Sequence, residues 1–184
     1  MKRRPLFRVL IVLAIVLVLL CGTAVALMFR QTNLLTNEFE TAVVGCQVHE
    51  QTDTGSVMAS AKSSITVENT GNIPAFIRLR FVSYWVDAEG NVVGKASEMP
   101  VIPYDEATWF EQSGSYYCRS EIMPDAFTPE LLQSGKTIVL RVDEQTGYRQ
   151  VLEVFADAIQ SKPQRAVTNS WKVNYSDGLI APKT

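Results

Sequence analysis

Histidine is scarce in this chain, which limits the chemistry that its side chains could perform. His49, in "QVHEQTD", is the single histidine, so a Ser-His-Asp or Cys-His arrangement would depend on it. No G-x-S-x-G, H-E-x-x-H, C-x-x-C or phosphate-loop spacing occurs, and one histidine cannot supply the ligands of a multi-histidine metal site. The sequence therefore predicts no catalytic residue, no metal site and no cofactor, and it favours a non-enzymatic protein.

Acidic and aromatic residues lie together in one stretch, "YDEATWFEQSGSYYC". Asp105, Glu106 and Glu111 stand near Trp109 and Tyr116. A glycan-acting site is one interpretation, because aromatic rings stack on sugars and carboxyl groups protonate the glycosidic oxygen. The interpretation that we favour is a β-hairpin with an aromatic outer face.

Two arginines alternate with apolar residues in "FIRLRF". Arg78 and Arg80 therefore lie on one face of a strand, and Ile77, Leu79 and Phe81 lie on the other. The apolar face is expected to point to the core. The arginine face is either solvated, where its charge opposes edge-to-edge association, or a candidate assembly surface.

Cysteine usage is typical of an exported protein. Cys21 falls in an apolar N-terminal segment, which leaves Cys46 and Cys118 as an even pair. In an oxidising compartment such a pair favours a disulfide, which would close a long loop and stabilise the fold. Two buried free thiols are the alternative.

The N-terminus has the three-part organisation of a secretory signal peptide. A cationic start precedes an unbroken apolar run over residues 9–20, and small residues stand at Ala24 and Ala26. We expect a hydrophobic signal helix over residues 1–26 and cleavage after Ala26. The alternative is an uncleaved membrane anchor over residues 9–29. Either way, the remainder is expected outside the cytoplasm, secreted or at the cell surface.

Charge is distributed unevenly along the chain. Four of the 17 basic residues and none of the 19 acidic residues lie in residues 1–26, so residues 27–184 carry 13 bases and 19 acids. Nucleic-acid binding needs a basic surface that neutralises phosphates. The acidic balance of the exported part argues against a nucleic-acid partner.

Short alternating segments dominate the exported part and predict strands. These strands cover residues 42–50, 63–69, 75–86, 108–112, 115–119 and 137–145. Apolar residues at 3–4 spacing predict a helix over 148–162, and 164–175 is expected to form a short helical turn before an irregular tail. The pattern predicts a mainly β fold, an antiparallel β-sandwich with one inserted or C-terminal helix, as a single domain over residues 27–184.

Several stretches, taken in order, resemble the TasA/camelysin-like exported proteins, which a SipW-type signal peptidase processes. They are "GTAVALMF" with "NEFETAVV", then "ITVENTGNIPAFIRLRFVSYWVDAEGN", "WFEQSGSYYC", and "LEVFADAIQ" followed by Trp171. The resemblance covers most of residues 22–171 and implies a jelly-roll-like sandwich at the cell surface or in extracellular matrix. The cysteine pair departs from the usual pattern of the family.

The resemblance also implies a function and partners. Some members polymerise into biofilm fibres, in which an N-terminal segment of one subunit adds a strand to the next, and "NEFETAVVGCQV" would be the donor here. The expected partners are other copies of the chain or other matrix proteins, with signal peptidase during export.

Two alternatives to this function stay open. One is a surface hydrolase acting on peptides or glycans, although the sequence lacks the zinc motif of a metallopeptidase. The other is a membrane-anchored component of envelope assembly.

Overall fold

The computed structural model describes residues 41–53 and 60–183, together with residues 13 and 16–18. The expected cleavage after Ala26, and the small residues Ala24 and Ala26 that favour it, lie outside the described residues, as do most of the signal helix and of the alternative anchor over residues 9–29. Within the described ranges, no helix has the length and apolar character needed to cross a membrane.

The unit formed by residues 42–184 is mainly β, as the sequence predicts. Its described elements follow one another in this order: β1 (Cys46–Asp53), β2 (Ala61–Asn69), β3 (Ala75–Val86), β4 (Val92–Ala96), β5 (Trp109–Gln112), β6 (Ser115–Cys118), β7 (Ile138–Val139), β8 (Arg149–Gln160), α1 (Arg165–Trp171), β9 (Asn174–Ser176) and β10 (Leu179–Ala181).

Two antiparallel sheets share one hydrophobic core. The first has the strand order β1-β2-β7. In the second, β3 pairs with β4 and β6 along one edge and with β8 along the other, and β5 pairs with β6. Ile65 and Val67 from the first sheet and Ile77 and Leu79 from the second are completely buried in the same cluster. Burying these side chains removes apolar surface from water, at about 25 cal/mol per Å², and so holds the two sheets together.

A second apolar cluster covers part of the opposite face of the larger sheet. Helix α1 and the β9–β10 hairpin pack there against the aromatic side chains of β3, β5 and β6. The buried members of this cluster are Phe76, Phe110, Tyr117, Val167, Trp171, Val173 and Ile180. The arginine-bearing face of β3 is therefore solvated only in part, because Phe76, which points the same way as Arg78, is fully buried.

The helix predicted over residues 148–162 is wrong, because this segment is β8. All twelve residues of β8 pair with β3 in a continuous antiparallel register from Arg149↔Val86 to Gln160↔Ala75. The apolar residues satisfy both a helical period and the alternation of a strand, and the available partner β3 decides between them. Leu152, Val154 and Ala156 thus point into the core.

Other boundaries also differ from the expectations. The strand predicted at 42–50 begins only at Cys46, and the strand predicted at 137–145 is reduced to Ile138–Val139. The short helical turn after residue 164 is confirmed as α1, but the tail that follows is the β9–β10 hairpin rather than irregular chain.

The predicted hairpin around residues 108–119 is confirmed as β5–β6. Its two-residue loop, Ser113-Gly114, has positive φ angles of 54° and 75°. These are the angles of a type I′ turn, whose twist matches that of the flanking strands. Glu111 accepts a hydrogen bond from the Gly114 N–H at 2.6 Å and fixes the turn.

Asn69, the first residue of the "NTGN" stretch that leads from β2 to β3, has a role beyond that connection. It is completely buried, and its Nδ2 donates to the carbonyl oxygens of Ile73 and Ile122, each at 2.9 Å. Its Oδ1 accepts from the Gly71 N–H at 3.0 Å. One amide side chain therefore links the β2–β3 connection to the segment at Ile122. It also gives hydrogen-bond partners to polar groups that burial would otherwise leave without one.

Candidate functional site

His49 lies on the solvent face of β1 and is paired with a carboxylate. Its Nε2 is 3.0 Å from Glu68 Oε2, and its ring meets Phe127 edge-on with centroids 5.1 Å apart. No hydroxyl or thiol in the described part of the chain hydrogen-bonds this imidazole. A surface depression of about 440 Å³ lies beside it, lined by Val48, His49, Glu50, Gln51, Ser64 and Thr66. The His49–Glu68 pair thus resembles the histidine and carboxylate of a catalytic triad, but the described residues place no nucleophile beside the histidine.

The acidic and aromatic residues of the 104–118 stretch are not brought together into a cleft. Asp105 accepts hydrogen bonds from the Ala107 N–H and the Thr108 hydroxyl, so it caps the turn before β5. Glu111 fixes the hairpin loop. Trp109 is completely buried, and its indole N–H donates to the carbonyl oxygens at Pro129 and Glu130. This geometry contains the expected hairpin. The expected aromatic outer face is wrong, because Trp109, Phe110 and Tyr117 are buried.

Cys46 and Cys118 are free thiols in the structure, in contrast with the predicted disulfide. Cys118 ends β6 in the larger sheet, and Cys46 begins β1 in the smaller one, and both pack into the shared core. Burial raises the pKa of each thiol, and the negative charge of Asp157 adds to this effect at Cys46. Such surroundings disfavour the reactive thiolate. Of the alternative of two buried free thiols, Cys118 fits fully, whereas Cys46 is only partly buried.

Arg78 and Arg80 converge on one carboxylate of β8. Arg78 donates to Asp157 Oδ2 from Nε at 3.1 Å and from its terminal nitrogen at 2.8 Å, and Arg80 donates to both oxygens at 3.1 and 3.3 Å. The cross-strand register explains the contact, because Arg78 lies directly opposite Asp157. Burial acts to raise the pKa of Asp157, but the hydrogen bonds and charges of the two arginines outweigh it and lower the pKa.

The two arginines nevertheless differ in their surroundings. The Arg78 guanidinium lies 5.1 Å from the Trp171 ring centre and 5.9 Å from that of Tyr117, so it also joins the second apolar cluster by cation–π contact. Its side chain is 23% exposed, whereas that of Arg80 is 53% exposed. Arg80 is thus the more accessible of the pair, and the assembly role of both arginines stays a prediction.

The free edge of β8 is the feature that sequence reasoning missed. The Gln150 N–H donates to the Arg141 carbonyl oxygen on the side away from β3. Alternate residues of a strand direct their backbone groups to the same side. The backbone N–H and C=O groups of the even-numbered residues after Gln150 therefore also point away from β3. They are Leu152, Val154, Ala156, Ala158 and Gln160. No backbone partner joins their outward N–H and C=O groups in the described ranges.

A second free edge belongs to β1. The Val67 N–H and C=O of β2 bond Thr128, which places them on the side away from β1. Val48, the residue opposite Val67, must then point its own backbone groups away from β2. Strands β1 and β8 are the terminal strands of their sheets and contact each other, yet the described residues form no backbone hydrogen bond between them. The sandwich-like fold is therefore not closed by hydrogen bonds on this side.

No protein-family model, no characterised protein and no solved structure matches the chain. Among the described residues, no group of three or more histidine, cysteine, aspartate or glutamate side chains could hold a metal ion.

Proposed function

We propose that this chain is an exported structural protein of the cell surface or extracellular matrix, whose copies assemble by adding a β-strand to the free edge of β8. The outward backbone groups of alternate residues from Leu152 to Gln160, which have no backbone partner among the described residues, carry this proposal. The order of motifs shared with the TasA/camelysin-like proteins supports it, and so does the three-part N-terminus. A jelly-roll-like arrangement of the strands belongs to the same proposal.

Strand β8 is suited to accept another strand because it lacks three of the devices that usually protect an edge. Exposed edges are commonly blunted by proline, by bulges or by short length. β8 is twelve residues long, contains no proline and keeps an uninterrupted one-to-one register with β3. An added strand would satisfy the outward N–H and C=O groups of alternate residues, which is the main-chain recognition of β-augmentation.

The proposed donor is the N-terminal segment of a second copy. Part of the donor expected from the sequence is already used, because Cys46, Gln47 and Val48 pair with β2 in their own sheet. Donating them would break those pairs. The proposed donor therefore lies upstream of β1.

A truncation series tests strand addition. We expect a protein of residues 27–184 to form larger species as its concentration rises from about 1 μM to about 1 mM, the range over which weak interfaces fill. A protein of residues 42–184, which lacks the donor, should stay monomeric. Size-exclusion chromatography with light scattering measures both. Identical monomers at every concentration would contradict assembly by strand addition.

A pair of variants at one position tests the acceptor. Ala156→Pro removes an outward N–H without removing a bond to β3, so self-association should fall at least about tenfold. Ala156→Ser keeps the N–H and serves as the matched control. Near-ultraviolet circular dichroism checks that both variants stay folded. Equal association of the two folded variants would place the contact elsewhere.

Export is tested separately by N-terminal sequencing of protein recovered from the culture medium or cell surface. A start at residue 27 is expected. Retention of the chain in the cytoplasm would contradict the proposed location without bearing on whether β8 accepts a strand.

A further inference from the structure

The chain is held against itself immediately before β1. The Val43 N–H donates to Asn72 Oδ1 at 2.7 Å, and the Asn72 N–H donates back to the Val43 carbonyl oxygen at 3.1 Å. The Thr70 N–H donates to the Gly45 carbonyl oxygen, also at 3.1 Å. Residues 43–45 and 70–72 thus form a three-bond crossing, here named the lead-in clamp.

Two glycines allow the two segments of the lead-in clamp to approach so closely. A Cβ at Gly45 would lie 2.7 Å from the Thr70 hydroxyl oxygen. A Cβ at Gly71 would lie 3.0 Å from the Gly45 nitrogen and still closer to the Val43 carbonyl oxygen. The separations from the Thr70 hydroxyl oxygen and from the Val43 carbonyl oxygen are shorter than a Cβ makes without a bond, and the separation from the Gly45 nitrogen is unusually tight. Any larger residue at Gly71 must therefore push the two backbones apart.

We propose that the lead-in clamp anchors the start of the folded domain at Val43, so that only residues before Ala42 can leave to pair with a second copy. This inference rests on the proposed strand addition and deepens it, because it fixes where the donor ends. The "NTGN" stretch does more than connect two strands. The Asn69 side chain holds this connection from within the core, and the Asn72 side chain binds the chain at Val43. The side chains of Val43 and Val44 are exposed, so the chain lies at the surface of the domain at this point.

Hydrogen exchange of the full-length chain in mild detergent tests the anchor directly. We expect the amides of Val43, Thr70 and Asn72 to exchange at least about 100-fold more slowly than in an unfolded chain. Gly71→Ala should raise these rates about tenfold or more, because the added Cβ separates the two segments. Gly94→Ala is the matched control, since a Cβ there meets nothing within 4 Å. Rates at the unfolded-chain limit, or rates unchanged by Gly71→Ala, would overturn the anchor.

Competing peptides test the boundary of the donor. Synthetic peptides of residues 27–41 and 27–48 are added to the self-associating full-length chain, and the concentration for half inhibition is measured. Equal potency, within about threefold, is expected if the donor ends before Ala42. A longer peptide that is tenfold or more potent would overturn the boundary while leaving strand addition intact. Failure of both peptides against an associating chain would instead contradict N-terminal donation, and the exchange rates would still decide the anchor.

Discussion

Replacement of Asn69 by alanine is the most informative single test of how this fold is held together. The change removes three side-chain hydrogen bonds from a completely buried position. The Ile122 carbonyl oxygen keeps a partner, because the Ala75 N–H also donates to it. The Gly71 N–H and the Ile73 carbonyl oxygen lose theirs. At about 1–2 kcal/mol for each orphaned buried group, the expected loss is about 3 kcal/mol.

Such a loss is large against the 5–15 kcal/mol that is typical of whole domains. Urea unfolding of residues 27–184, followed by tryptophan fluorescence, measures it as a fall in midpoint at constant slope. Asn91→Ala is the control, because Asn91 is exposed and its side chain bonds Asp87 in a surface turn, so its cost should stay below about 1 kcal/mol.

Asn69→Asp sharpens the test with a substitution of nearly equal shape. It replaces the donating Nδ2 by an oxygen that faces the carbonyl oxygens of Ile73 and Ile122, so at neutral pH it should destabilise more than alanine does. Acidification toward about pH 4 should recover part of the loss, since a protonated carboxyl group donates again. If Asn69→Ala costs less than about 1 kcal/mol, or if the aspartate variant is the milder one, the buried amide does not hold this connection as argued.

Two further perturbations address the opposite face of the larger sheet. Asp157→Asn should cost only about 1 kcal/mol, because the carboxylate is partly exposed and solvent screens its pairing with Arg78 and Arg80. The pKa of Asp157 lies below its ordinary value in the folded state, so its contribution is present above that ordinary value and is lost as pH falls through the folded pKa. Wild-type stability should therefore drop more steeply than that of Asp157→Asn between about pH 5 and pH 2, as thermal melts at each pH would show, and parallel curves would contradict the pairing. Trp171→Ala removes a side chain that packs on Tyr117 and Arg78, and it should cost about 3–5 kcal/mol. Limited proteolysis should then cut the segment around α1 first, whereas unchanged protection of that segment would show that the second cluster does not depend on Trp171.

The central strand β3 was predictable from sequence because a single periodicity describes it. Ile77, Leu79 and Phe81 alternate with polar neighbours, and the strand occupies the predicted range Ala75–Val86. Strand β8 was not predictable in the same way. Its apolar residues fit a helix and a strand equally well, and only a long partner at the right place in the fold selects the strand.

The sequence by itself determined the mainly β class, the hairpin between β5 and β6 and the lack of a familiar catalytic motif. These follow from local alternation, from turn residues such as Ser113 and Gly114, and from a residue inventory with one histidine. Tertiary structure alone decided the identity of β8, the burial of Asn69 and the pairing of both arginines with Asp157. Each of these depends on residues dozens of positions apart meeting across strands, and no local pattern specifies which distant segment supplies the partner.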